Sequence, residues 1–199
     1  DFLGAKFSRK FGYFLPLFWI QTTGFLIAFV YFLFKFSIPA DAVKFLPIFI
    51  IGGFLNAVGY LAFFKGLKDG QVSLISPIGS SWTLITVILS LVFLKEILSI
   101  NQIVAVFLLI ISIVLVSINI KKFFGERKLI IFSGVKEGLI AMLSWGILMF
   151  LLVFPSRTLG WFLPVFIFRF FTVLFLSLFI FINKQSIGTK ISPKFLFLF

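Results

Sequence analysis

The chain has 199 residues, of which 61% are hydrophobic, 20% aromatic and only 12% charged, with a net charge of +12 and a mean hydropathy of +1.23. A soluble domain carries about twice that share of charge, and so little polar material does not cover a water-facing surface. A soluble globular enzyme, a disordered tail and a disulfide scaffold are excluded, which leaves a polytopic membrane protein.

Crossing about 30 Å of hydrocarbon takes roughly 20 apolar residues. Six runs meet that length, at 11–34, 45–65, 72–94, 99–119, 134–154 and 160–183, and a seventh opens at about 195. Each is predicted to be a helix, because an open sheet edge is not tolerated in lipid. The first run is too long and too late for a signal peptide. The longest connection, 120–133, carries Lys121, Lys122, Glu126, Arg127 and Lys128, and no soluble domain is inserted.

The connections alternate sides. Segments 1–10, 65–71, 120–136 and 184–194, read as loops, hold thirteen Lys and Arg residues; the other set holds only Lys35, Lys44, Lys95 and Arg157. That bias places the first set in the cytoplasm. The basic surplus therefore encodes topology, not a nucleic-acid partner: no basic face or ribbon fits a groove. The 33 phenylalanines suit a lipid-facing surface.

A repeat is visible at an offset of 148, where Ser8, Arg9, Gly12, Phe14, Leu15, Pro16 and Phe18 recur as Ser156, Arg157, Gly160, Phe162, Leu163, Pro164 and Phe166. Tyr13 falls on Trp161, and Lys44-Phe45-Leu46 matches Lys194-Phe195-Leu196 two residues out of that register. Apolar letters match by chance in any membrane chain, but Ser, Arg, Gly and Pro in register do not. The repeat predicts three parts: 1–119, a first repeat lacking its first helix; 120–133, a basic inter-repeat loop; and 134–199, the start of a second repeat, cut at its third helix. The unit then holds five spans, and the whole protein ten, in roughly 300 residues. An odd number of spans inverts the second unit, the construction of many secondary transporters.

Residues Gly59 to Ile118 carry a further pattern. An aromatic, a small residue and a glycine close the third span; Ser73 and Pro77 give Ser-x-x-x-Pro in the fourth; Leu94-Lys95-Glu96 closes it; and Gln102 opens the fifth. This resembles the EamA repeat of the drug/metabolite transporter superfamily. Trp145-Gly146 is similar to the Trp-Gly of that family's first repeat helix, and Arg169 to the arginine near the start of its second. The chain departs at Ala105 and Ser112, where the family has glycines, and at Gln21, where repeat one lacks the arginine. The resemblance implies an all-α helix bundle built from two inverted five-helix repeats. It also implies cytoplasmic termini, which puts the 120–133 junction outside, opposite to the charge bias. Orientation stays open between the two.

Several polar residues invite a role. Ser73, Ser76, Ser80, Thr83 and Ser90 recur on one face of the fourth span, with Val87 completing the stripe. Such a stripe serves either helix packing or a wet cavity wall. Pro77 frees a backbone carbonyl beside Gly79, Ser80 and Ser81, which suits a gating hinge. Asn56 needs partners in hydrocarbon, and Tyr60 offers a ring and a hydroxyl. The resemblance places the cavity between the third and fourth helices of each repeat and the first. It thus implies Asn56, Tyr60, Ser80 and Ser81 as cavity residues, with Ser144 and Trp145 from the second repeat. Arg169 either snorkels or holds an anionic group in the interior, and its repeat mate Gln21 is also polar. Glu96 reads as a structural acid at the helix–loop junction.

The expected function is a secondary transporter of small organic solutes (amino acids, metabolites or drugs) by alternating access, in the plasma or cytoplasmic membrane. Its partners are the solute and the lipid bilayer, with a homodimer left open. No cofactor or metal is implied: there is no cysteine or histidine, and no acid at a span centre. The competing reading is a non-transporting scaffold or lipid-binding subunit.

Overall fold

The computed structural model describes residues 1–35, 37–95, 97–117 and 133–183. Among them there is no strand. The helices are α1 (Phe2–Phe11), α2 (Phe14–Lys35), α3 (Leu46–Asp69), α4 (Val72–Ser80), α5 (Trp82–Phe93), α6 (Ile100–Ser117), α7 (Val135–Leu159) and α8 (Phe162–Asn183), with a 3₁₀ turn at Ala40–Phe45 before α3. Five stretches are long and apolar enough to cross a membrane: Phe14–Phe34, Ala40–Asp69, Val72–Phe93, Val135–Leu159 and Phe162–Asn183. In α6 the apolar helix Ile100–Ser112 is shorter. The seventh run, the Lys194 match, residues 120–132 of the basic loop and Glu96 lie outside the described residues.

The expected helices are present, with shifted ends. Residues 1–10, read as a loop from Lys6, Arg9 and Lys10, form α1. Its Ala5 and Ser8 are buried, so packing on α3 overrides the polar composition. Gly12 (φ 85°) then breaks the chain, and α2 starts at Phe14 instead of residue 11. Gly160 (φ 73°) does the same between α7 and α8. Only glycine takes this backbone without penalty. Pro16 and Pro164 each sit in the first turn of the next helix, where a missing N–H costs no bond. The α7 helix runs past its expected end at 154, through the buried Pro155, to Leu159.

The fourth span is two helices. Pro77 offers no N–H to the carbonyl four residues back, yet the break falls at Ser81 (φ −80°, ψ 16°). There the Ser81 N–H donates to the carbonyls of Pro77 and Ile78, both at 3.1 Å. The Ser81 hydroxyl adds a bond to the Pro77 carbonyl at 2.8 Å. At the start of α6, Ser99 and Gln102 form a reciprocal capping box: the Ser99 N–H donates to Gln102 Oε1 at 2.8 Å, and the Gln102 N–H to Ser99 Oγ at 3.4 Å.

At the centre stands α3, packed on α1, α2, α4, α7 and α8. Its glycines admit these neighbours closely. A Cβ on Gly53 would run into Cβ of Phe171, and one on Gly66 would lie 3.0 Å from Cβ of Glu137. The α2 and α8 helices each have 22 residues, and their bounds differ by 148. They pack antiparallel. At one end Phe14 stacks on Phe179 with ring centroids 5.4 Å apart; at the other Tyr31 meets Phe162 edge-on at 5.0 Å. Adding 148 to Phe14 gives Phe162, and subtracting it from Phe179 gives Tyr31, so the two contacts are images of each other.

Charge gathers at one end of the bundle. Arg9 donates to the Gly70 carbonyl at 2.8 Å, Lys65 pairs with Glu137 at 3.3 Å, and Lys68 lies 5.8 Å from the Tyr13 ring centre. At the opposite end are Lys44, paired with Asp41 at 2.5 Å, and Arg157.

Candidate functional site

A cavity of about 390 Å³ opens between α1, α2, α3, α4 and α7. Its walls include Ile20, Tyr60, Phe63, Phe64, Ser80 and Trp145. Tyr60 stands edge-on to Trp145, with ring centroids 5.0 Å apart and planes at 69°. Phe63 packs on the same indole at 5.3 Å. Room for this aromatic group comes from glycines. A Cβ on Gly59 would lie 2.7 Å from Trp145 Nε1, and one on Gly79 would lie 2.9 Å from the Phe63 ring. Trp145 Nε1 is buried against α3 with no hydrogen-bond partner among the described residues. The wall is thus largely aromatic, with Leu3 and Gly4 of α1 beside it, and its polar groups are the hydroxyls of Tyr60 and Ser80 and Asp1. Such a surface holds a small, partly apolar solute by area and orients it with few polar contacts.

Of the sequence-predicted residues, the fold brings Tyr60, Ser80 and Trp145 to this cavity. The others go elsewhere. Asn56 is buried at the α3–α8 contact, where its Nδ2 donates to Thr172 Oγ1 at 3.1 Å; the Thr172 hydroxyl donates in turn to the Phe168 carbonyl at 3.0 Å. Ser81 is buried and bonded to its own helix. Ser144 is buried on α7 beside Trp145.

Gln21 and Arg169 occupy the α2–α8 interface. The Arg169 guanidinium lies over Gly24, where a Cβ would come within 2.8 Å of Nη1. Gln21 is 2% exposed, and neither its Oε1 nor Arg169 Nε has a partner among the described residues. The serine stripe divides at the Ser81 break: Ser80 faces the cavity, whereas Thr83 and Val87 face Gln102 and Ala105 of α6 across a smaller pocket of about 170 Å³.

Two polar contacts escaped the sequence reading. Thr172 completes the Asn56 bond, and Thr86 donates to the Gly146 carbonyl at 3.0 Å, tying α5 to α7. Each is a threonine inside an apolar run, three residues from a residue singled out: Thr172 from Arg169, Thr86 from Thr83. Helical spacing was the available signal.

The model of the EamA-like transporter family matches residues 2–118. An uncharacterized protein of Methanocaldococcus jannaschii is 36% identical over 107 residues, which cover 52% of this chain and 78% of that relative. No solved structure matches the chain.

Proposed function

Because the chain belongs to the EamA-like transporter family and is an integral, multi-pass membrane protein, we propose that it carries small organic solutes by alternating access. Amino acids, metabolites and drugs are the candidate classes, and the plasma or cytoplasmic membrane is the site of action. The observation that carries this reading is the aromatic cavity of about 390 Å³ between Tyr60, Ser80 and Trp145. It lies between helices of the first expected repeat and α7, the first helix of the second. That is where inverted-repeat carriers hold substrate.

Two features support the alternating mechanism. The α2 and α8 helices occupy equivalent repeat positions and run antiparallel, as inverted halves require. Second, the α4–α5 break at Ser81 lies next to Ser80 on the cavity wall, so bending there changes the wall itself. Pro77, one turn earlier, supplies the weakened backbone that a hinge needs.

The test is solute counterflow into liposomes reconstituted with the whole protein of the ten-span expectation, across a panel from the three classes. The reading expects saturable exchange for at least one class. Tyr60→Ala should weaken it about three- to tenfold, the worth of one aromatic contact. Folded protein without saturable exchange for any panel member would overturn the transporter reading in favour of a scaffold.

A further inference from the structure

A second recess, of about 360 Å³, lies at the basic end of the bundle between α3, α7, α8 and the α1–α2 turn. Its rim is polar: Lys65, Lys136, Glu137 and Tyr13. Its floor is apolar, with Val58, Ala62 and Phe179. Along α3, Lys65 and Val58 are seven residues apart, so the floor descends about 10 Å from the level of the lysines. The recess is therefore amphipathic along the membrane normal, charged at the helix ends and greasy below.

The rim charge is only partly matched. Glu137 pairs with Lys65 at 3.3 Å, and among the described residues Lys136 has no acid partner. Lys68, over the Tyr13 ring, and Arg9 at the end of α1 add to the positive field. A soluble anion would gain from the lysines but nothing from the floor. An amphiphile with an anionic head gains from both, since basic pockets between membrane helices attract such headgroups and each buried methylene adds its own transfer free energy.

We propose that this recess is a binding site for one anionic phospholipid, its phosphate on Lys65 and Lys136 and an acyl chain along Val58, Ala62 and Phe179. The proposal is independent of the transport reading, since a scaffold would hold the lipid equally well.

Native mass spectrometry of the purified protein, titrated with phosphatidylglycerol or phosphatidylcholine, tests it. Melting curves confirm that each variant is folded. The wild type should retain phosphatidylglycerol in preference. In Lys65→Gln/Lys136→Gln that retention should fall about tenfold or more, given what each basic residue near a membrane surface contributes. Lys6→Gln/Lys10→Gln removes the same charge outside the recess and should leave retention within about twofold of wild type. Ala62→Phe fills the floor without touching the charge and should also lose the lipid. Equal loss in the Lys6/Lys10 variant would mean diffuse attraction and overturn the site. Unchanged retention in Lys65→Gln/Lys136→Gln, or in folded Ala62→Phe, would overturn it as well. Displacement of the lipid by excess inorganic phosphate would assign the recess to a soluble anion instead.

Discussion

Trp145 lies flat enough on α3 that a Cβ at Gly59 would come within 2.7 Å of its indole nitrogen. The same indole meets Tyr60 at 5.0 Å, so the shape of the cavity wall depends on the absence of one methyl group. Gly59→Ala should push the indole out of place and destabilise the protein by about 1–3 kcal/mol, the usual cost of overpacking. Gly4→Ala is the contrast. Its Cβ would meet Phe64 at an ordinary 3.6 Å, so better helix propensity should make it neutral or stabilising by up to about 1 kcal/mol. Thermal unfolding in detergent, read with tryptophan emission, checks both. Equal melting temperatures for the two variants would refute the close packing.

Asn56 is expected to act as a packing contact. Its bond to Thr172 is buried between α3 and α8, and such bonds inside membranes are worth about 0.6 kcal/mol on average and up to about 1.7. A double-mutant cycle with Asn56→Ala and Thr172→Val should return a coupling energy in that range. Additive effects, with Asn56→Ala instead altering solute affinity, would move Asn56 to the transport site.

The antiparallel course of α2 and α8 can be tested by crosslinking, because the chain has no cysteine of its own. Cysteine pairs replacing Phe14 with Phe179, and Tyr31 with Phe162, should both react with a short bifunctional thiol reagent. A pair at Phe14 and Phe162 should not, since these positions lie at opposite ends of the bundle. Crosslinking of that third pair would contradict the helix arrangement and the inverted-repeat reading built on it.

Pro77→Ala restores the N–H that can bond to the Ser73 carbonyl. The variant should melt higher and carry solute several-fold more slowly, because a straightened α4–α5 no longer bends at the cavity wall. Unchanged counterflow at raised stability would remove the hinge role of Pro77 and leave it a packing residue.

Much of the bundle was legible because its causes are local. Apolar runs of about 20 residues gave the spans, whereas the starts of α2 and α8, read at 11 and 160, lie at Phe14 and Phe162, after Gly12 and Gly160. Helix α1 was not legible. Lys6, Arg9 and Lys10 read as a loop, and only burial of Ala5 and Ser8 against the bundle reveals the helix. Pro77 read as the weak point of the fourth span, and the helix is interrupted one turn later, at Ser81.

The candidate site shows a different limit. Asn56 and Tyr60 share a face by their four-residue spacing, yet α3 is surrounded by other helices. A shared face therefore did not mean a shared partner: Asn56 meets Thr172 of α8, and Tyr60 meets Trp145 of α7. Spacing fixed which direction each residue points, and tertiary packing fixed what it finds there.

The central claim is that the space beside Ser80 is a solute cavity open to water. Ser80→Cys, probed in intact cells and in inverted vesicles with a membrane-impermeant maleimide, tests it most directly, with Leu174→Cys as the control on the outer, exposed side of α8. Labelling of Ser80→Cys, protection by a transported solute and no labelling of Leu174→Cys are the predicted result. No labelling at Ser80 from either side of the membrane would mean a dry, packed bundle and would contradict the transporter account.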